Sequence, residues 1–507
     1  MNAPPSRGMD DPIDERSVAR GAGAALLARA GALIELVSTP AYVWMFGLAT
    51  YGLYTVLWAA VNLVENAADL GMTSALQRTV PQTRTEADAV GALRAALMLG
   101  VVPCVAIAAV ASLVAPMLAG LLNVAADDRA GLAAGIALFA WALPLWAFVE
   151  IATSALRARR AFGPEIRLRI VGEQLIRLGV ATLLWAAGVD TLGLLVAHLV
   201  SLAITAGLSV RLLGRHYDLS LWRTARSPYA DTAASGLSVL PSNIISRLLS
   251  DAPPLVLNAW YPGAGGAAAA GLYAIARKLS SLVQLVRMAF SYVLGPLSSA
   301  VARDDRAAIA PLYGFATRVS VVIALPMAAA LIGGRHILLG LFGPAAAGAG
   351  AMVTLLTLGR VVDAAGGPAG SILQVASGRL KPLLGAALAL LVTGIAAAAL
   401  LPRHGGAGLA GAVALGVSTM TIVAVVQLWR DAGLHPFAPP FPRAFGVGLA
   451  VGAALLCLLP LVHLQGPRVG LPAFAFALLG GLWVSMRYGL RAADKAFMGS
   501  AARRLRL

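Results

Sequence analysis

The chain has 507 residues, of which 59% are hydrophobic and 12% are charged, and its formal net charge is +16. Apolar runs recur along the whole length, which is typical of a polytopic membrane protein and not of a soluble or nucleic-acid-binding protein. No connection between these runs exceeds about twenty residues, so the sequence leaves no room for a soluble catalytic domain.

Fourteen apolar runs of roughly 20 residues, the length that crosses a bilayer, predict an all-α membrane protein with twelve to fourteen transmembrane helices. A polar stretch at 215–231 separates the first six runs from the rest. Predicted spans 1 to 14 lie at 18–42, 51–76, 95–122, 132–156, 166–187, 191–212, 233–258, 270–298, 309–333, 350–376, 381–401, 407–429, 444–463 and 469–487.

The basic residues predict the orientation. With the N-terminus in the cytoplasm, the inward loops hold 27 of the 39 Lys and Arg residues and the outward loops hold four. The positive-inside rule therefore places both termini in the cytoplasm. The polar N-terminal tail precedes span 1 without a cleavage pattern, so we expect span 1 to be retained.

Fifteen ionisable side chains fall inside the predicted spans. At about 3 kcal/mol each, they cannot face lipid and must face one another or water. Helical spacing predicts the local pairs Glu173–Arg177, Arg247–Asp251 and Arg360–Asp363. The charges concentrate in spans 1, 2, 7 and 8, which predicts a polar cavity walled by those spans. The full set is Arg29, Glu35, Glu65, Asp69, Glu150, Glu173, Arg177, Arg247, Asp251, Arg277, Lys278, Arg287, Arg318, Arg360 and Asp363.

Two short matches indicate an internal duplication. The tripeptide GLY opens span 2 at Gly52 and span 8 at Gly271, and similar proline-containing segments lead into spans 5 and 11 at nearly the same offset. Six spans per repeat is an even number, so the repeats are parallel, with substrate expected between them. We predict two six-helix lobes at 1–214 and 232–430, a linker at 215–231, two further helices within 431–490, and a basic cytoplasmic tail at 491–507.

The segment TPAYVWMFGLATYGLYTVLWAAVNLVENAADLGMTSALQRTV, residues 39–80, resembles the start of the Wzx-type polysaccharide-unit flippases. These belong to the multidrug/oligosaccharidyl-lipid/polysaccharide (MOP) exporter superfamily. The shared features are Pro40, the turn from Gly47 to Tyr54, and the ending from Ala68 to Arg78. The resemblance implies two lobes around a V-shaped cavity in the bacterial cytoplasmic (inner) membrane. It also implies transport of undecaprenyl-diphosphate-linked oligosaccharides to the periplasmic leaflet for O-antigen, capsule or exopolysaccharide assembly.

A buried diphosphate requires fixed positive charge, and guanidinium groups meet phosphate oxygens with two parallel hydrogen bonds. For each basic residue, the alternative is a buried ion pair with a neighbouring acid. Amide groups would contact the sugars. The predicted substrate-binding residues are Arg29, Arg247, Arg277, Lys278, Arg287, Asn62 and Asn243.

The sequence contains no nucleotide-binding motif, so we expect coupling to a proton or sodium gradient. The candidate coupling residues are Glu65, Asp69, Asp251 and Glu35. Glu65 and Asp69 lie one helical turn apart, where two ionised carboxylates repel, so one is expected to hold a proton until the local field changes. We also expect this pair to share the cavity with the cations of span 8.

Other functions remain open from the sequence. Export of small molecules such as drugs by a related transporter is one alternative, and a membrane polymerase or glycosyltransferase of the same pathway is another. The lipid II flippase branch has an arginine-rich first span, whereas span 1 here offers only Arg29 with Glu35 nearby. His198, His463, Cys104 and Cys457 show no catalytic or metal-ligand spacing. We therefore predict no enzyme activity, metal or cofactor, and we expect a polymerase and a chain-length regulator as partner proteins.

Overall fold

The computed structural model describes residues 30–159, 161, 166–285, 287–288, 309–376, 380–463 and 467–507, and this part of the chain is helical without strands. Short 3-10 turns occupy Val80–Gln82, Leu219–Trp222, Leu282–Gln284 and Pro344–Ala349, and a π-helix covers Ile166–Gly172. The α-helices are α1 Ala30–Phe46, α2 Leu48–Ala68, α3 Met72–Thr79, α4 Glu86–Leu113, α5 Ala115–Leu121, α6 Ala126–Arg129, α7 Leu132–Phe139, α8 Ala142–Ala158, α9 Glu173–Ala186, α10 Thr191–His216, α11 Tyr229–Leu237, α12 Leu240–Trp260, α13 Ala264–Ser281, α14 Ile309–Gly333, α15 Arg335–Gly340, α16 Gly350–Ala365, α17 Ala369–Ala376, α18 Leu380–Ala432, α19 Phe441–His463, α20 Pro467–Gly489, α21 Ala492–Met498 and α22 Ser500–Arg504.

Each predicted span overlaps helix in the described ranges, which confirms the all-α multi-pass architecture. By length and composition alone, eight of the described helices could cross a membrane, or nine if α1 and α2 form one bent span. The other predicted spans are covered by shorter or more polar helices. α18 spans the positions of predicted spans 11 and 12, with non-helical backbone at Gly405.

Glycine separates the first two helices. α1 and α2 meet at an angle of 119°, and Gly47 between them has φ +81°. A residue with a Cβ rarely adopts this backbone conformation, so glycine permits the turn. The large angle fits two successive spans better than one continuous span.

α4 begins with a capping box, in which the side chains of Thr85 and Asp88 each bond the other residue's backbone N–H.

α2 lies between the two halves of the chain and packs on α12 and α13. Gly52 faces Ala267 and Gly271 so closely that a Cβ on Gly52 would overlap the Ala267 carbonyl oxygen. A Cβ on Gly271 would lie 2.9 Å from the Leu48 carbonyl oxygen. The two glycines that the proposed repeat relates thus bring α2 and α13 into backbone contact.

Two asparagines join the halves at the end of the molecule where α2 begins. Asn123 follows α5, and Asn258 lies near the C-terminus of α12, where it is 2% exposed. The Asn123 N–H donates to Asn258 Oδ1 at 3.1 Å, and the Asn123 amide donates to the Asn258 carbonyl at 2.9 Å. The Asn258 amide donates in return to the Asn123 carbonyl at 2.7 Å. We call this reciprocal set the asparagine clasp. It closes the end that the positive-inside rule assigns to the periplasm.

The opposite end is closed by α11, which packs on α3 and α4. A Cβ on Gly71 would lie 2.5 Å from the Gly236 carbonyl oxygen, so the backbones meet here as well. Arg94 of α4 holds the connection between the halves, donating to the Ala225 carbonyl at 2.6 Å and to Ser227 Oγ at 2.7 Å. In this conformation the halves touch at both ends.

A buried polar network ties α2, α9 and α10 together. Arg177 donates to Glu173 Oε1 at 2.5 Å and to the Tyr54 hydroxyl at 2.8 Å. The Tyr54 hydroxyl lies 3.0 Å from His198 Nδ1, and His198 Nε2 lies 3.7 Å from Glu173 Oε1. The Glu173–Arg177 pair predicted from spacing is confirmed. His198 has no carboxylate at a suitable spacing in its own helix, and in the fold Glu173 of α9 lies beside it instead.

The C-terminal helices pack against α14. α19 and α20 lie along it, and Ser485 Oγ donates to the Val322 carbonyl at 2.7 Å. Arg318 of α14 pairs with Asp494 of α21 at 2.5 Å, and Asp494 is 2% exposed. The basic C-terminal segment is therefore anchored to the bundle through a buried ion pair.

We predict that Glu173→Ala destabilises the protein by about 3–5 kcal/mol, because it leaves Arg177 charged and buried without its carboxylate. The double variant Glu173→Ala/Arg177→Met, which removes both charges, should be more stable than the single variant. The stability of both variants can be measured by thermal unfolding of the purified protein in detergent, monitored through the loss of the monodisperse peak. A double variant less stable than Glu173→Ala would contradict this view of the network.

We also predict that Gly52→Ala pushes α2 and α13 apart at the end closed by the asparagine clasp, because the methyl group meets backbone atoms that cannot rotate away. Spin labels at Ala126→Cys and Gly265→Cys, with Cys104 and Cys457 replaced by alanine, should report a distance that lengthens by several ångströms. Gly179→Ala is the matched control, since a Cβ there meets no atom within 4 Å. An unchanged distance in Gly52→Ala would refute the argument.

Candidate functional site

Basic side chains from α12, α13, α16 and the segment after α13 form a cluster beside the interface between the halves. Its members are Arg247, Arg277, Lys278, Arg287 and Arg360, which share acidic partners or lie near enough for their charges to act on one another. Four of them were predicted as substrate-binding residues, and the fifth such cation, Arg29, lies outside the described residues. We call the five described side chains, without Arg29, the cation cluster.

Asp251 and Glu35 neutralise part of the cation cluster. Asp251 lies between two arginines, with Arg277 Nη1 at 2.6 Å and Arg247 Nη1 at 3.5 Å. Arg277 also donates to the Ser250 carbonyl at 2.7 Å. Glu35 of α1 forms an ion pair with Lys278 of α13, which links the first half to the second. These two predicted coupling residues are thus ion-pair partners of the predicted substrate-binding cations.

The partners of Asp363 differ from those predicted from sequence spacing. Its Oδ2 lies 2.9 Å from Arg287 Nε, and its Oδ1 accepts a hydrogen bond of 3.0 Å from Thr421 of α18. The predicted Arg360–Asp363 ion pair is wrong, because the folded chain supplies Asp363 with partners far away in sequence. Arg360 has no ion pair in the described ranges, although the charges of Asp363, Arg287 and Arg277 act on it.

Glu65 and Asp69 form a carboxylate pair at the end of α2, and each is 3% exposed. Asp69 also caps the turn that follows, because its Oδ1 accepts from the Gly71 N–H at 2.8 Å. Arg247 and Arg169 are the cations that act on Glu65. The charge of Arg247 on α12 therefore acts on this pair, whereas we expected the pair to lie near the cations of span 8. Within the described residues, neither carboxylate forms an ion pair.

The two predicted amides differ in their surroundings. Asn62 is 6% exposed, and its Nδ2 donates to the Trp58 carbonyl one turn earlier at 2.9 Å. Asn243 lies one turn before Arg247, on the same side of α12, and is half-buried. Asn243 is thus better placed beside the cation cluster than Asn62, whose amide is already engaged by its own helix.

The sequence analysis did not predict Arg360 as a substrate-binding residue. Its position three residues before Asp363 predicted a local ion pair, whereas in the fold it lies near Arg277 and Arg287. The available signal was that Arg360 and Asp363 are the only ionisable side chains at 350–365, where either one can have its charged neighbours on other helices.

The fold resembles that of known membrane transporters. A structure of the lipid II flippase MurJ in an inward closed conformation aligns with a TM-score of 0.71 at 12% identity, covering 96% of this chain and 99% of that chain. An outward-facing multidrug resistance MATE family transporter of the MOP superfamily aligns with a TM-score of 0.60 at 15% identity, over 87% and 96% of the two chains. A MOP superfamily transporter from Pyrococcus furiosus aligns with a TM-score of 0.58 at 14% identity, over 87% and 96%.

No curated protein sequence matches this chain. The family model described as polysaccharide biosynthesis protein matches residues 45–342, more than half of the chain. This match confirms the resemblance to the polysaccharide family that residues 39–80 indicated, and the alignments above show the fold of membrane transporters. The chain therefore belongs to the polysaccharide biosynthesis protein family.

Proposed function

We propose that this protein flips undecaprenyl-diphosphate-linked oligosaccharide units from the cytoplasmic to the periplasmic leaflet, for O-antigen, capsule or exopolysaccharide assembly. The observation that carries the proposal is the cation cluster, in which three acids, Glu35, Asp251 and Asp363, pair with four of the five basic side chains and Arg360 has no ion pair in the described ranges. The fold that holds the cluster is similar to that of a lipid II flippase.

A diphosphate diester suits this cluster. It carries two negative charges at neutral pH, which equals the excess of cluster cations over their paired acids. Arginine stays protonated in a low-dielectric site and can offer two parallel N–H donors to phosphate oxygens. Arg360, which has no ion pair in the described ranges, and Arg247 and Arg277, which share Asp251, are the groups whose charge a ligand would neutralise.

The carboxylate pair supplies a route to ion coupling. Arg169 and Glu150 form an ion pair next to Glu65 and Asp69. Adding these two groups and the carboxylate pair to the cluster and its acids gives six basic and six acidic side chains. The set is neutral when both Glu65 and Asp69 are ionised and carries one positive charge when their mutual repulsion leaves a proton on one of them. Binding of a diphosphate would add two negative charges and so favour further proton uptake by the carboxylate pair.

Alternating access follows from the closures at the two ends. Opening towards the periplasm would break the asparagine clasp and separate Gly52 from Gly271. Opening towards the cytoplasm would separate Gly71 from Gly236. We propose that residues 1–214 and 232–430 rock against each other, so that one closure opens while the other holds. The Glu35–Lys278 pair bridges the lobes between these two ends.

The proposal predicts that Arg360→Met lowers flipping by about 10- to 100-fold, the loss expected for one charge-assisted contact of about 1.5–3 kcal/mol. Arg360→Lys, which keeps the charge, should retain more activity. The measurement is flipping of a fluorescent undecaprenyl-diphosphate oligosaccharide by purified protein in liposomes, with the unfolding temperature checked for each variant.

Arg335→Met is the matched control, because Arg335 lies outside the cluster and donates to the Ile332 carbonyl at 2.9 Å. Equal flipping by Arg360→Met and wild type would argue against a diphosphate site. Failure of well-folded wild type to flip the probe, together with uptake of organic cations, would favour small-molecule export.

Charge balance also predicts a pH dependence. If proton uptake accompanies binding, binding of the lipid-linked substrate tightens as pH falls, by up to about tenfold per pH unit for each proton taken up. Asp69→Asn cannot take up a proton at this position, so its affinity should vary less with pH than that of wild type. Microscale binding measurements from pH 5.5 to 8.5 provide the test. Asp190→Asn, at an exposed position before α10, should behave as wild type, and identical slopes in all three proteins would rule out this coupling.

A further inference from the structure

A small cavity opens within the second half, between α12, α16, α17 and α18. Its volume is about 220 Å³, and the polar residues that line it are Ser242, Ser246, Arg287, Asp363, Ser371, Thr421 and Gln427. Pockets for drug-sized ligands usually measure about 300–1,000 Å³. The cavity is therefore large enough for one ring-sized group and too small for a whole oligosaccharide.

Two buried polar atoms at this cavity lack hydrogen bonds. Gln427 Oε1 and Arg287 Nε have no hydrogen-bond partner in the described part of the chain. Arg287 Nε is 2.9 Å from Asp363 Oδ2, which makes an ion pair without hydrogen-bond alignment. Buried polar atoms are nearly always bonded, since desolvating an unpaired one is costly. An orphaned acceptor and an orphaned donor in one cavity indicate a ligand that offers both kinds of group.

The charges at the cavity favour a neutral ligand. Asp363 balances Arg287, and the Thr421 hydroxyl donates to the same carboxylate. A cation would be repelled by the Arg287 guanidinium, and an anion would gain little attraction from Arg287 because Asp363 already neutralises its charge. Hydroxyl groups, which donate and accept, match Gln427, Arg287 and the serine hydroxyls. The apolar side chains of Leu373 and Met420 also line the cavity and can contact the C–H face of a sugar ring.

Arg287 belongs to both the cavity and the cation cluster, so the two sites adjoin. We propose that the cavity is a subsite for a single neutral sugar ring, the one bonded directly to the diphosphate. Gln427 Oε1 accepts from one of its hydroxyls, and the Arg287 N–H groups donate to another. This inference rests on the proposed function and adds to it the class of group recognised next to the diphosphate.

The test compares binding of undecaprenyl diphosphate methyl ester, a bare lipid that keeps the two negative charges of the diester, with binding of undecaprenyl diphosphate carrying glucose, galactose or N-acetylglucosamine, using full-length protein in nanodiscs. At least one monosaccharide lipid should bind wild type about fivefold more tightly than the bare lipid, the gain expected from hydrogen bonds of about 1 kcal/mol. Gln427→Met should remove this gain and leave binding of the bare lipid unchanged. Gln77→Met is the matched control, because Gln77 bonds Ser154 outside the cavity.

The outcomes separate the inference from the proposed function. Equal binding of the bare lipid and every monosaccharide lipid by wild type would overturn the sugar subsite and leave the diphosphate site standing. A sugar-dependent gain that persists in Gln427→Met would also overturn it. If wild type binds no lipid, or Arg360→Met binds the bare lipid as well as wild type does, the proposed function fails and the subsite fails with it.

Discussion

The structure depends on one electrostatic constraint, which is that charge inside a membrane must be compensated. Each ionised side chain left alone in hydrocarbon costs several kcal/mol, so the polar groups of the spans are drawn together. In the first half this produces the buried network of Glu173, Arg177, Tyr54 and His198. In the second half it produces the cation cluster with its smaller set of acids. The first arrangement pairs Arg177 with Glu173, whereas in the second five basic side chains face three acids, and we propose that a ligand supplies the missing negative charge.

Close backbone contact is the second requirement. Helices in a bilayer gain little from burying apolar surface against one another, so small residues that let backbones approach are favoured at their interfaces. Gly52 with Gly271, and Gly71 with Gly236, place such contacts at opposite ends of the interface between the halves. Contacts of this kind are tight when closed and involve no long side chain that must be rearranged on opening. They suit a protein whose halves must meet and part repeatedly.

The site combines a fixed part with a part that can change its charge. Asp251, Asp363 and Glu35 hold individual arginines and the lysine in place through ion pairs. Glu65 and Asp69 are not held in this way within the described residues. They lie in the first half, while the cation cluster lies in the second, so a change in either charge alters the attraction across the interface. In the cycle that we propose, charge balance therefore links substrate binding to movement of the halves.

The sequence by itself determined the class of protein, the approximate positions of the helices, and the family, because hydrophobic length and a characteristic 40-residue segment are local properties. It also determined which spans are polar, and the pairs four residues apart on one helix, Glu173–Arg177 and Arg247–Asp251, were correct. Only the tertiary structure decided that Asp363 pairs with Arg287 and not with Arg360, that Glu173 reaches His198, and that Asn123 meets Asn258. These partners are 25 to 135 residues apart, and pairing at that distance depends on how helices pack, which no local spacing records.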